Sequence, residues 1–326
     1  MKKSFRSTLI NAITKSAEEY PNMVVLNADS ARALKLTQFS DTYPDRMTGV
    51  GISEADLIGT AAGMAATGLI PVVVGFSMFV SEKPFEQIRQ AIAYPNLNVK
   101  IVATHSGLCV GQDGATHQAL EDIAVIRSLP NFKVYAAADV TETEAALQAM
   151  LNHDGPAYLR LGRDLAEDIF DGNKSFLPGG ADVLRDGDDV TIAACGLMVE
   201  QALIAAAGLK SQGIGATVIN TYSIKPLPED LLLEKAKKTN AFVTAEDHSV
   251  IGGLGSAVCE YLSQTCPVPV LRVGVPDHFG ESGTQDELYR KYGLTADDII
   301  EAAKRAISMK TTNTKGQVTP YVQKYR

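Results

Sequence analysis

VKIVATHSGLCVGQDGATHQALED, residues 99–122, passes from an apolar run into a polar loop and back into a helical pattern. Val99–Thr104 reads as a buried parallel strand. The loop that follows carries His105, Asp113, His117 and three glycines, and is too polar to be core. A helical pattern resumes at Ala119. Open α/β sheets place their chemistry on such strand–loop–helix passages, at the carboxyl ends of the strands.

The chain on either side keeps the same rhythm. Residues 4–19 are spaced as a helix, with Phe5, Leu9, Ile13 and Ala17 on one face. A strand from Met23 ends at Asp29, and a polar loop leads to Gly49-Val-Gly-Ile-Ser-Glu54. Ser53 suits the N-cap of a helix over 54–67. That helix holds Gly59, Gly63 and several alanines, a composition that implies close packing rather than propensity. A strand over 71–75 precedes Phe76, Phe79 and Phe85, and a helix is predicted over 84–93. Strands at 132–137 and 157–161 flank a helix from Thr141.

Residues 164–187 break the alternation with Asp, Gly and Pro. The expected division is a first domain over 1–166, a linker over 167–188, a second domain over 189–309 and a polar tail over 310–326. The second domain repeats the pattern, with strands at 189–194, 215–220, 241–245 and 269–273 and helices at 198–210, 228–238, 253–262 and 295–308. Both domains therefore read as doubly wound α/β, the second smaller than the first.

Composition narrows the classes. A 45% apolar and 21% charged chain of 326 residues fits a soluble globular enzyme of two domains. A net charge of −8 without a basic block argues against a nucleic-acid surface, so an anionic substrate needs locally placed cations. Cys109, Cys195, Cys259 and Cys266 lack CxxC spacing and read as free thiols of a cytoplasmic protein. No apolar run is long enough to span a membrane, and Glu18 and Glu19 follow too closely for the N-terminus to be a signal peptide.

Taken one at a time, the polar residues allow more than one reading. Glu54 is a favourable first-turn charge or a working carboxylate. Phe76 and Phe79 are core, or a platform for a flat ring. His105 and His117 form no metal site with any neighbouring Cys or His. Arg160 and Arg163 are surface charges, or the cations that a phosphate needs.

Together they carry a resemblance. Over roughly residues 5–308 the chain resembles the C-terminal half of transketolase, the pyrimidine-binding and C-terminal domains of a thiamine diphosphate enzyme. Gly51-Ile-Ser-Glu54 matches the family's G-[IV]-x-E segment, whose glutamate bonds N1′ of the cofactor's aminopyrimidine. Phe76-Ser-Met-Phe79-Val matches FxxFV, whose rings stack on that pyrimidine. The pattern THxxxxxGxDGxTHQxxE is matched from Thr104 to Glu121. The resemblance implies cofactor contacts from Ile52, Glu54, Phe76 and Phe79. It implies substrate contacts from Asp29, His105, Asp113, His117 and Arg163, with Glu54, His105 and His117 catalytic.

Two departures stand out. Glu82 replaces the tyrosine that completes the family's aromatic pocket, and Ala33 replaces a phosphate-holding serine. The family's GDG…N segment, which holds magnesium and the diphosphate, is also missing. The expectation is therefore one subunit of a split transketolase. A partner chain would hold the diphosphate and Mg²⁺ (or Ca²⁺ or Mn²⁺) in an α2β2 heterotetramer. The implied reaction moves a two-carbon ketol unit between sugar phosphates. Competing readings are deoxyxylulose-phosphate synthase, which typically has Asp-Arg where this chain has Thr104-His105, and the β subunit of a 2-oxoacid dehydrogenase, which lacks DGxTHQ. A non-enzymatic interaction protein is a third, disfavoured by the joint presence of Glu54, His105, Asp113 and His117.

Overall fold

The computed structural model describes residues 3–163, 165–172 and 174–312. Most of the predicted polar tail, from residue 313 on, lies outside the described residues. In chain order the strands are β1 (Lys3–Ser4), β2 (Met23–Asn27), β3 (Met47–Gly49), β4 (Ile70–Phe76), β5 (Lys100–Thr104), β6 (Lys133–Ala136) and β7 (Ala157–Arg160). They continue as β8 (Leu165–Ala166), β9 (Asp182–Arg185), β10 (Val190–Ala194), β11 (Ala216–Asn220), β12 (Ser223–Lys225), β13 (Phe242–Ser249) and β14 (Val270–Val275).

A seven-stranded sheet runs β12-β6-β7-β5-β4-β2-β3, and a five-stranded sheet runs β14-β13-β10-β11-β9. Pairing is parallel in both except at one edge of each, where β12 meets β6 and β9 meets β11 antiparallel. Strands such as β4 are nearly unbroken apolar runs because both faces of the sheet are covered. On β4 and β5 the side chains divide between two cores. Val73, Ile101 and Ala103 join Leu57, Ile58 and Ala61 of the helix Glu54–Ala66. Val72, Val74 and Val102 join Phe5, Leu9 and Ile13 of the helix Phe5–Glu19. A third core lies in the second sheet around Ile192, Val218 and Val243. The two doubly wound units expected from the alternation are present.

Several short elements fall in stretches read from the sequence as loop or linker. Among them are the helix Thr37–Thr42, strands β3, β9 and β12, and the helix Gln285–Tyr292. Strand β12 follows the second domain's β11 yet pairs with the first domain's β6. Lys225 secures it by donating to the carbonyl oxygens of Arg127 and Leu129.

The segment after β4 is not a regular helix. Met78–Glu82 and Ile88–Ala93 form wide π-type turns, with one α turn, Phe85–Gln87, between them. The first turn packs hard on the strand end. A β-carbon at Gly75 would stand 2.2 Å from Val80 Cγ1, so any larger residue here would force the Val80 side chain to move. Wide turns of this kind are often found at functional sites.

Candidate active site

The order β7-β5-β4-β2-β3 sets side by side the carboxyl ends from which the candidate residues leave. Neighbouring strands lie about 4.8 Å apart. Arg163 follows β7, His105 follows β5, Phe76 ends β4, Asp29 follows β2, and Glu54 opens the helix after β3. A set scattered over more than a hundred residues thus becomes one row along the sheet edge.

Asp29, Ile52, Glu54, Phe76 and Phe79 line one cavity of ≈ 220 Å³, with Ala28, Ser30, Ala33, Gly75 and Val80. Glu54 is 4% exposed. A carboxylate so far from water needs a partner, and Lys83 Nζ donates to its Oε2. Ile52, by contrast, is 76% exposed and stands at the cavity's open side.

Ring contacts join this cavity to the loop after β5. The His105 ring lies 4.2 Å from that of Phe76, and the His117 ring meets Phe79 edge-on at 5.1 Å. Each histidine has a threonine neighbour at Nδ1: Thr104 Oγ1 at 2.9 Å from His105, and Thr116 Oγ1 at 2.9 Å from His117. Desolvation pushes the His105 ring down to about 3, with Arg163, Arg6 and His117 adding to the shift. His105 is therefore a neutral imidazole near pH 7, able to donate at one nitrogen and accept at the other. It also adopts a left-handed backbone, φ 57°, as does Asp29 at 59°. Non-glycine residues held there cost energy and concentrate at functional sites.

The two arginines at the end of β7 separate cleanly, Arg160 as its last residue and Arg163 just beyond it. Arg160 is buried and gives Nε to both oxygens of Asp122, at 3.1 and 2.9 Å. Ser77 Oγ and Tyr158 OH donate to the same carboxylate at 2.9 and 2.7 Å. Burial alone would push Asp122 up, but Arg160, His248 and these hydroxyls hold it below its ordinary value. Arg160 thus serves the scaffold. Arg163 reaches the loop instead, donating to Asp113 Oδ2 at 3.1 Å and to the Val110 carbonyl.

The second domain fastens this loop. Asp247 accepts from the Leu108 and Cys109 amides at 2.8 and 3.2 Å and from Tyr289 OH at 2.9 Å. Gly107, φ 76°, passes so close that a β-carbon would come within 2.5 Å of Asp247. Gln118 Nε2 donates to the Glu281 carbonyl at 2.9 Å.

Sequence reasoning missed Lys83, Arg6 and Asp247. Arg6 Nη1 donates to the carbonyl of Ala33, a cavity residue, at 3.2 Å, and its charge acts on His105. None of the three belongs to a recognisable motif. Arg6 sits in an amphipathic first turn, and only the fold brings it back to the row.

A cavity with a buried carboxylate and two phenylalanines thus lies beside two histidines and a cation, at the carboxyl edge of an α/β sheet. Comparison with known proteins identifies the family. The model for the transketolase pyrimidine-binding domain matches residues 1–168, and that for the transketolase C-terminal domain matches 179–299. The chain is 44% identical over 305 residues to the 6-deoxy-6-sulfo-D-fructose transketolase subunit SqwH of Clostridium sp. (strain MSTE9), covering 94% of this chain and 95% of that one. A 1-deoxy-D-xylulose-5-phosphate synthase of Syntrophotalea carbinolica is 36% identical, but the match takes in 48% of its length. A solved split-gene transketolase, described as an inactive β4 tetramer, superposes with a TM-score of 0.89 at 45% identity, covering 94% of this chain and 99% of that one. The chain belongs to the transketolase family, whose members depend on thiamine diphosphate. Along its length it corresponds to the C-terminal subunit of the split form.

Proposed function

We propose that this chain supplies the aminopyrimidine side and the sugar-facing side of a transketolase site, and that a second polypeptide supplies the rest. The carrying observation is the cavity beside Glu54, which fits one end of the cofactor and not the other. Its phenylalanines offer a platform for a flat ring, and its carboxylate offers a bond to a ring nitrogen. Among the described residues no group of three His, Cys, Asp or Glu is arranged to hold a metal ion. The reading assigns the diphosphate and its magnesium to the partner, in an α2β2 assembly, in keeping with the chain's match to a transketolase subunit.

Thiamine diphosphate, when bound, supplies the nucleophilic carbon that carries the two-carbon unit. The protein's own residues bind, orient and move protons. Glu54 accepts or returns a proton at the aminopyrimidine. Phe76 and Phe79 keep water from its face. His105, neutral and tied to Thr104, bonds a sugar hydroxyl or carbonyl, and His117 does so from the Phe79 side. Asp113 accepts from a hydroxyl of the acceptor sugar. Arg163 and Arg6, whose charges both act on His105, are anchors for a terminal phosphate or other anion, which offsets the repulsion of a net charge of −8.

Cofactor binding tests the division of labour. Thiamine diphosphate with Mg²⁺ is titrated into this chain, into its partner, and into their mixture, with protein fluorescence as the readout. Tight saturation only in the mixture supports the split site. Equal affinity for this chain alone would refute it.

A further inference from the structure

We propose that Lys83 is a latch on Glu54, holding the carboxylate in the free subunit and yielding it when a 4-aminopyrimidine ring enters the cavity. The latch rests on the cofactor reading of this cavity. Lys83 Nζ donates to Glu54 Oε2, and among the described residues no other side chain is bonded to either group. An oxygen that carries an ammonium cannot receive a ring nitrogen in the same direction. The two partners therefore compete for that oxygen.

Their burial differs in the way a displaceable contact requires. The Glu54 side chain is 6% exposed, whereas that of Lys83 is 52% exposed. Lys83 has a flexible four-carbon stem and a strongly hydrated head, so it can swing to water at small cost. The Asp122–Arg160 pair is the contrast: both side chains are buried and further donors hold the carboxylate, so nothing there can leave. Position also matters. The turn Met78–Glu82 presents Phe79 to the cavity, and Lys83 follows it directly. A ring settling against Phe79 must enter the space beside the Lys83–Glu54 contact. In the unassembled subunit the latch keeps a buried carboxylate paired.

The test uses the full chain and 4-amino-5-hydroxymethyl-2-methylpyrimidine as probe, with binding read by calorimetry. Lys83→Met is expected to bind roughly fivefold more tightly than wild type, the upper end for a partly exposed ion pair. Wild-type affinity should rise with salt as the contact is screened, and that of Lys83→Met should not. In a Glu54→Gln background, adding Lys83→Met should change nothing. Equal or weaker binding by Lys83→Met overturns the latch and leaves the cavity reading intact. The same gain in the Glu54→Gln background also overturns it, because the effect would then be steric. Binding by none of the four chains overturns the cavity reading and the latch with it.

Discussion

The ring of His105 lies 4.2 Å from the ring of Phe76, across the junction of two neighbouring parallel strands. This contact joins the cavity beside Glu54 to the loop that follows β5. It also removes water from His105, whose ring burial and neighbouring arginines keep neutral. A neutral imidazole donates and accepts without titrating near pH 7.

His105→Ala should lower kcat/KM for the ketose by about a hundredfold, the lower range for a group that handles protons in the transition state. Cofactor affinity should change little, because Glu54 and the phenylalanines remain. The pH profile of kcat/KM should show no ionisation from His105 between about pH 5 and 8. An ionisation there that vanishes in His105→Ala would contradict the neutral ring.

Arg163→Met should raise KM for a phosphorylated sugar by roughly ten- to a hundredfold, as expected for losing a charge-assisted hydrogen bond. KM for the same sugar without phosphate should stay nearly constant. Equal losses with both sugars would place Arg163 in the scaffold, through its bonds to Asp113 and Val110.

Asp122→Ala should destabilise the chain by about 3–5 kcal/mol, because it leaves the buried Arg160 guanidinium without its counter-charge. Denaturant unfolding measures this directly. A loss below about 1 kcal/mol would mean that the pair behaves like a surface contact.

Glu82 gives a stability effect of the opposite pH sense from ordinary carboxylates. Burial pushes it up to about 8, with Asp122 and Glu121 adding to the shift. Between its ordinary 4.5 and about 8 the folded chain holds a proton that the unfolded chain has lost. Stability contributed by this group is therefore present at low pH and falls as pH rises through that window. Glu82→Gln should melt with wild type near pH 4.5 and a few degrees above it near pH 8.5. A constant difference across that range would show that Glu82 does not titrate there.

Much of this was legible in the sequence because parallel sheets write their burial as apolar runs. Val99–Thr104, residues 71–75 and residues 189–194 announce strands, and the segments after the first two carry site residues. Glu54, Phe76, Phe79, His105 and His117 were all nominated from motifs, and the fold gathers them. Elements held by tertiary contact were not legible. β12 is three residues long and is defined by its pairing with β6, not by its own pattern. The second wide turn, Ile88–Ala93, hides in a stretch that reads as plain helix over 84–93, and the first, Met78–Glu82, has no helical signal of its own. Lys83, Arg6 and Asp247 lack any local signal, because their meaning lies in partners 29, 27 and 139 residues away.

The division of one active site between two chains is tested most directly by ketol transfer from a ketose to an aldose, with thiamine diphosphate and Mg²⁺ present. This chain alone should show no transfer, and its mixture with the diphosphate-binding subunit should show full transfer. The same mixture made with Glu54→Gln should lose activity by about a hundredfold or more, as for removal of a proton-transfer group. Full transfer by this chain alone, or wild-type turnover with Glu54→Gln, would contradict the split site and the role of Glu54 within it.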